Sequence, residues 1–252
     1  MKTLLIYDKL VTLHREAHRH LKLAPQQRPF DFARETNSVL LAAAELPQAV
    51  LDMPCVFIET EGQHALAALV GLRDRENLLV QEDGQWQHGA YVPAFVRRYP
   101  FVLAETAGGS EFTVCLDQAC PGLNADEGQA LFESDGRESA WLDGVKTFLV
   151  NFRQEMEASR EFANALAGLG LLQARAIEYE LQGQRASLSG FKTIDEDKLR
   201  ALPAAELERL LAKGWLGLAY AHLLSLNQVQ RLALRLEQRL SAATPATAAA
   251  LH

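Results

Sequence analysis

Residues 139–167, SAWLDGVKTFLVNFRQEMEASREFANALA, are the stretch that decides the fold class. Apolar side chains recur there mostly three or four positions apart, which is the spacing of one stripe along a helix. The stripe comprises Trp141, Val145, Phe148, Phe152, Met156, Ala163 and Leu166. We expect the charged Lys146, Arg153, Glu157 and Arg160 on the opposite, solvated face, and Gly168 and Gly170 to end the helix. The pattern predicts a long helix whose apolar stripe packs on a core.

Ahead of this helix the sequence changes to short strand-like segments, between about Leu21 and Leu116, separated by Pro, Gly and acidic residues. We predict one hairpin from residues 65–72 and 77–81, joined by a charged link. A second hairpin is predicted from residues 101–105 and 111–117, because the Gly-Gly pair between them tolerates the positive φ angles of a tight loop. Residues 41–51 look helical, with a break or a helix start at Pro47.

Beyond the long helix, Ile177–Leu181 alternates apolar and charged residues and turns into residues 185–191, which predicts a third hairpin. Thr193 and Glu196 have the spacing of a capping box, so a short helix should begin there. Pro203 and Gly214 are expected to bound a helix over residues 204–213. The last predicted element is one amphipathic helix over residues 216–240.

These elements predict an α+β fold, in which an antiparallel sheet built from hairpins, the third included, is covered by the long helix and the C-terminal helices. Residues 1–125 are expected to be mainly β. Residues 126–240 are expected to be mainly helical with one hairpin, and both parts to form one domain. The small, low-complexity residues 241–252 are expected to be disordered.

The net charge of −7 and the pI of about 5.5 argue against a nucleic-acid partner, which would require a basic face. Cys55, Cys115 and Cys120 are odd in number and lack CxxC spacing, as is usual for reduced thiols. No N-terminal secretory pattern is visible, and no apolar run reaches the roughly 18 residues of a membrane span. We therefore expect a cytoplasmic protein without membrane insertion.

Several segments resemble the SapC family of bacterial proteins, in order from about Leu10 to Leu240. They are RPFDFA at 28–33, ALAALVGLRDRENLLV at 65–80, the turn containing Trp86, YVPAFVRRYPF at 91–101 and the run at 190–232 that begins GFKTIDEDKL and ends SLNQVQRL. The family is named for an association with crystalline surface layers. The resemblance therefore suggests a surface-layer role, but it implies no particular reaction or site residue.

The stretch 77–101 contains the main candidate site. Its two prolines, Pro93 and Pro100, fix the backbone, and two guanidinium groups stand beside phenols, a mixture suited to holding a carboxylate or phosphate. The candidate ligand-binding residues here are Trp86, Tyr91, Arg97, Arg98 and Tyr99. An alternative is that the aromatics belong to the core and one arginine pairs with an acid such as Glu76.

Two histidines are further candidates. His14 and His18 lie at i and i+4, but no third ligand with defined spacing follows, so we predict no metal site and treat His18 as a structural or ligand-contacting residue. His222 lies three residues before Ser225 without a nucleophile elbow. A buried His222 bonded to a neighbouring element, such as the segment containing Arg97 and Arg98, is the preferred interpretation. No P-loop or GxGxxG turn is present, and no cofactor is predicted.

The hypothesis from sequence is a non-catalytic cytoplasmic accessory or binding protein that holds a small anionic molecule or a peptide, or binds a protein partner, at the aromatic and arginine residues above. One alternative is a component of surface-layer assembly or export. Another is an enzyme that uses His18 or His222 as an acid or base. A homodimer formed through the apolar face of the last helix is also possible.

Overall fold

The computed structural model describes residues 6–105 and 112–243. The strands within these ranges are β1 (Leu10–Thr12), β2 (Lys22–Leu23), β3 (Ser38–Leu40), β4 (Cys55–Thr60), β5 (Gln63–Leu69), β6 (Phe101–Glu105), β7 (Phe112–Asp117), β8 (Leu123–Asn124), β9 (Gln129–Ala130), β10 (Leu172–Ala174), β11 (Ile177–Leu181), β12 (Gln184–Leu188) and β13 (Lys192–Ile194). The α-helices are α1 (Leu46–Ala49), α2 (Ala94–Arg97), α3 (Ala140–Gly168), α4 (Glu196–Arg200), α5 (Ala204–Ala212), α6 (Trp215–Ser225) and α7 (Gln228–Ala243). Short 3₁₀ turns occupy Asp31–Ala33 and Ala43–Glu45.

The central sheet has five antiparallel strands in the order β10-β13-β4-β5-β3. Its β4–β5 hairpin turns through Glu61 and Gly62, whose φ angles of 54° and 75° suit the two central residues of a tight hairpin turn. Phe57 and Leu66 face one side of this sheet and Val56 and Ala67 the other, and both sides are buried. Burial on both faces explains why these strands are apolar without alternation.

The first predicted hairpin is therefore wrong. β5 pairs with the strand before it, and residues 77–81 form no strand but only one bridge, from Val80 to Trp86. The second hairpin is confirmed as β6–β7, in a three-stranded sheet of order β1-β7-β6, although its predicted Gly-Gly turn lies outside the described residues. The third hairpin is confirmed as β11–β12, but it forms a separate two-stranded sheet. A small sheet of order β8-β2-β9 completes the β structure of the described ranges.

The long helix is confirmed as α3. The Ser139 hydroxyl accepts a hydrogen bond from the backbone N–H of Leu142 at 3.2 Å and so caps the first turn. Gly170, with φ of 69°, follows its C-terminal end. The first half of α3 packs on the β1-β7-β6 sheet, and the second half on the central sheet, where Phe162 lies 6.1 Å from the ring of Phe57. α3 therefore covers both sheets, and the α+β prediction is confirmed.

The end of the chain differs from the prediction in three ways. The single helix over 216–240 is instead two helices, because α6 ends at Ser225 and α7 begins at Gln228 to pack over β11 and the second face of the central sheet. The helix near residue 196 does begin, but Asp195 caps it and Thr193 lies within β13, so the capping box is wrong. The predicted disordered tail starts within α7, and residues 244–252 lie outside the described residues. No helix of the described ranges is long and apolar enough to cross a membrane.

Ser225 ties α6 to the central sheet. Its buried hydroxyl accepts a hydrogen bond from the Cys55 N–H at 2.9 Å and donates to the His222 carbonyl at 2.6 Å. We predict that Ser225→Ala lowers the free energy of unfolding by about 1–3 kcal/mol, because it leaves a buried N–H without a partner. Ser187→Ala, at an exposed position on β12, is the matched control and should change it by less than about 0.5 kcal/mol. Urea unfolding of the three proteins measures the difference, and equal losses would contradict this role.

Candidate functional site

The buried carboxylate of Glu45 organises the segment that contains the main candidate site. One of its oxygens accepts hydrogen bonds from the Tyr91 hydroxyl at 2.8 Å and from the Ala94 N–H at 2.7 Å. Its other oxygen accepts from the Ala42 N–H at 2.9 Å. The Asp52 carboxylate accepts a further hydrogen bond, from the Tyr91 N–H at 2.8 Å. The two acids fix the position of the chain immediately before α2.

Trp86 and Tyr91 are satisfied within the protein. The Trp86 Nε1 donates to the Tyr91 carbonyl at 3.0 Å, and its buried ring lies 5.6 Å from the ring of Phe30. Burial raises the pKa of Tyr91, and the adjacent Glu45 carboxylate raises it further. The polar groups of both residues hold the segment together, so the structure gives them a positioning role.

Tyr99 is also packed against protein. Its ring stacks on Phe32 with 3.7 Å between centroids and an angle of 11° between planes. Burial raises the pKa of Tyr99, with Cys120 and Asp117 acting in the same direction. The phenol therefore stays neutral, and its ring forms part of the core beneath the segment.

The two neighbouring arginines have different surroundings. Arg97 is exposed; its Nε donates to the Val92 carbonyl at 3.0 Å, and its guanidinium lies 5.3 Å from the centre of the Phe148 ring. It borders a cavity of about 160 Å³ that Phe152 and Glu155 also line. Most of its contacts bind it to its own segment. The alternative pairing with Glu76 is wrong, since Glu76 pairs with Arg73.

Arg98 turns inward and its guanidinium is surrounded by aromatic rings. The guanidinium carbon lies 4.1 Å from the centre of the Phe95 ring, 5.4 Å from that of Phe152 and 5.7 Å from that of Tyr7. Its Nε and Nη2 are buried, and no residue of the described ranges accepts a hydrogen bond from them. Among those residues no carboxylate lies within ion-pair distance of Arg98. Three ring faces and the Tyr7 hydroxyl, but no acid of the described residues, therefore surround the positive charge.

Burial disfavours the charged forms of both Arg98 and Tyr7, so it shifts their pKa values in opposite directions. It lowers the pKa of Arg98, and it raises the pKa of Tyr7 to about 12, an effect that the neighbouring guanidinium opposes. The Tyr7 hydroxyl donates to the Phe101 carbonyl at 2.9 Å, and the Arg98 carbonyl accepts from the Phe101 N–H at 2.7 Å. These bonds fix the surroundings of Arg98 against the start of β6.

Arg98 lines a cavity of about 350 Å³ between α3, the β6–β7 hairpin and β3, which we call the Arg98 cavity. Two arginines of α3, Arg153 and Arg160, also line it, together with the acids Glu105 and Glu157. Arg153 pairs with Glu157 at 3.1 Å and lies 3.9 Å from the centre of the Phe112 ring. The remaining lining is Leu40, Leu103, Leu149, Phe152 and Met156. The cavity thus combines an apolar wall with a cluster of guanidinium groups.

His18 and His222 lie away from this cavity and do not line it. The Nδ1 of the buried His18 accepts a hydrogen bond from the His14 N–H at 2.8 Å, and burial lowers the pKa of His18, with His14 adding to the effect. His222 is fully buried 5.0 Å from the ring of Phe57, and neither ring nitrogen has a partner among the described residues. The expected bond from His222 to the arginine segment is therefore not formed within the described ranges. No group of three or more metal-ligating side chains occurs in the described part of the chain.

Sequence reasoning missed Tyr7, Glu45, Arg153 and Arg160. The last two are spaced seven apart on α3, and their charge led to their assignment to a solvated face, although that face borders the cavity. Glu45 could have been noticed in the sequence, because it is a lone acid in the otherwise apolar run LAAAELP. Nothing in the sequence near Tyr7 indicates its partner, because Phe101 is distant along the chain.

A family model described as SapC matches residues 13–232 of the 252 residues. No curated protein and no solved structure matches the chain. The family match covers α2, α3 and every residue of the Arg98 cavity.

His222 provides a pH test of the buried core. Burial lowers its pKa from 6.5 to about 3, so below about pH 6.5 the unfolded chain binds a proton that the native protein does not. We predict that the free energy of unfolding falls by about 2 kcal/mol more in the wild type than in His222→Leu between pH 7 and pH 5. Urea unfolding at both pH values measures this difference. Identical pH dependence in the two proteins would show that His222 is not held neutral.

Proposed function

We propose that this chain, which belongs to the SapC family, is a non-catalytic binding protein that holds an anionic group of a small molecule or peptide in the Arg98 cavity. The observation that carries the proposal is the Arg98 guanidinium, which lines a cavity and has no acidic partner among the described residues.

The Arg98 charge without an acidic partner favours an anionic ligand energetically. A guanidinium taken out of water without hydrogen-bond acceptors is costly, and aromatic faces offset only part of that cost, about 0.5–2 kcal/mol each. A carboxylate or phosphate in the cavity would supply the missing counter-charge. Because Arg98 is already fixed by its rings and by the bonds around Phe101, little ordering would accompany binding.

The rest of the cavity favours an anion attached to an apolar group. Arg153 and Arg160 add positive charge, while Phe112, Phe152 and Met156 provide apolar contacts. A volume of about 350 Å³ falls within the range typical of small-molecule sites. Arg97, Trp86, Tyr91 and Tyr99 then act as the framework that presents Arg98.

We also propose that the protein acts in the cytoplasm. Cys55, Cys115 and Cys120 are all buried and free, as is usual in a reducing compartment. Fractionation of cells that express the native protein tests this proposal. Recovery with envelope material would contradict it and would favour the surface-layer alternative.

We predict that Arg98→Met weakens the binding of a small carboxylate about 10–100-fold, because the lost charge-assisted hydrogen bonds are each worth about 1.5–3 kcal/mol. Methionine keeps an apolar side chain of similar length among the three rings, so the protein should remain folded. Calorimetric titration with glutarate, and separately with inorganic phosphate, measures the affinities.

Arg185→Gln is the matched control, since Arg185 is exposed on β12 and its loss also removes one positive charge. It should leave both affinities unchanged. If Arg98→Met and Arg185→Gln weaken anion binding equally, the effect comes from the overall charge of the protein and not from the cavity. If glutarate and phosphate fail to bind the wild type in the millimolar range, the proposal is overturned.

A further inference from the structure

β6 is an edge strand beside the Arg98 cavity. Within residues 6–105 and 112–243 it pairs with β7 alone, and in the order β1-β7-β6 it stands at the end of its sheet. Leu103 and Glu105 of this strand line the cavity. The edge and the arginine cluster are thus parts of one surface.

The pairing of β7 determines the direction of the backbone groups of β6. The Val114 carbonyl accepts a hydrogen bond from the Leu13 N–H at 2.8 Å, so it points toward β1. Leu103 stands opposite Val114 in the register and therefore forms a pair that exchanges no backbone hydrogen bonds with β7. The N–H and C=O of Leu103 point outward, and so do those of Glu105, two residues further on.

The start of this edge is already occupied, whereas its end has no partner among the described residues. At Phe101 the outward N–H donates to the Arg98 carbonyl, and the outward carbonyl accepts from the Tyr7 hydroxyl. In the described part of the chain, nothing accepts from or donates to the outward groups of Leu103 and Glu105. Unpaired edge groups of this kind are a template for an added strand.

A strand added here would place alternate side chains on the same face as Leu103, toward α3. That face contains Phe112, 37% exposed, and the apolar wall formed by Phe152 and Met156. An acidic side chain at one position of the added strand would lie beside Arg98. An apolar residue two positions along would contact the wall.

We propose that the ligand of this site is an extended acidic peptide segment of a partner protein, which adds as a strand to the edge of β6 at Leu103–Glu105. Charge complementarity selects an acidic partner, because the cavity has three arginines and two glutamates, and one glutamate, Glu157, already pairs with Arg153. The inference rests on the proposed anion site and adds the backbone contact to it.

The test uses the full chain and synthetic nine-residue peptides, acetylated and amidated, in which Thr and Val alternate around a central Glu. Two further peptides carry N-methyl groups on alternate backbone amides, one on the odd positions and one on the even positions. Strand addition predicts that only one of these two loses affinity, by at least about tenfold, because only one set of amides faces β6. Replacing the central Glu by Gln should also weaken binding by at least about tenfold. The reference ligand is N-acetylglutamate α-amide, which offers the carboxylate without a strand.

Substitutions at Glu105 test the same contact from the protein side. Glu105→Pro removes one outward N–H at an exposed edge position where proline is tolerated, and should bind the peptide about tenfold more weakly than Glu105→Thr, while the two variants bind the reference ligand equally. Glu105→Thr removes the same carboxylate but keeps the N–H, and should bind the peptide as well as wild type or better.

The outcomes separate the two proposals. If the peptide binds no more tightly than N-acetylglutamate α-amide, or if neither methylation pattern weakens it and Glu105→Pro binds it as tightly as Glu105→Thr, strand addition is overturned and the anion site stands. If neither the peptide nor the reference ligand binds, the proposed function itself is overturned.

Discussion

The carboxylate of Glu45 accepts three hydrogen bonds, one from the nearby Ala42 N–H and two from groups distant in sequence, the Ala94 N–H and the Tyr91 hydroxyl. A carboxylate buried with both oxygens hydrogen-bonded in this way is stable because the donors replace water, and the loss of one donor would leave its charge less well compensated. The hydrogen bonds to the Glu45 carboxylate join the chain after β3 to the start of α2. The position of Arg98 at the end of α2 follows from them.

The surroundings of Arg98 show how the same contacts serve the fold and the cavity. Its carbonyl and the Tyr7 hydroxyl take the two outward groups of Phe101, which fixes the first residue of β6 and covers that part of the strand edge. Its side chain lies among the rings of Tyr7, Phe95 and Phe152, and no carboxylate of the described residues pairs with it. A charge in that position has a strong field, since buried charges are screened by salt much less than exposed ones. Arg153 and Arg160, on the helix surface, have less influence for the same reason.

The elements that could be predicted from sequence are those specified by local signals. The apolar spacing of α3, its Ser139 cap and the glycines after it all lie within the helix and its flanks, so its bounds follow from the sequence. β5 lies largely within the predicted strand 65–72, but its pairing with β4 was missed because the charged link after it suggested a turn, and because the actual turn depends on a positive φ at the non-glycine Glu61 as well as at Gly62. The break between α6 and α7 was missed because their apolar residues continue one periodic pattern across it. The hydrogen bond that the Ser225 hydroxyl accepts from the Cys55 N–H of the distant strand β4 marks the end of α6.

The candidate site was predicted as a cluster of residue types, and the division of roles within it depends on tertiary contacts. Adjacent residues in a helical turn point about 100° apart, so Arg97 and Arg98 have different surroundings, but the sequence alone does not say which of them faces inward. The answer follows from Glu45 and the Phe101 contacts, which orient α2 so that Arg98 faces the rings and Arg97 faces solvent. Trp86, Tyr91 and Tyr99, which looked like ligand contacts, use their polar groups or ring faces to maintain that orientation. The binding proposal consequently depends on one guanidinium, and the aromatic residues contribute to it by fixing where that group lies.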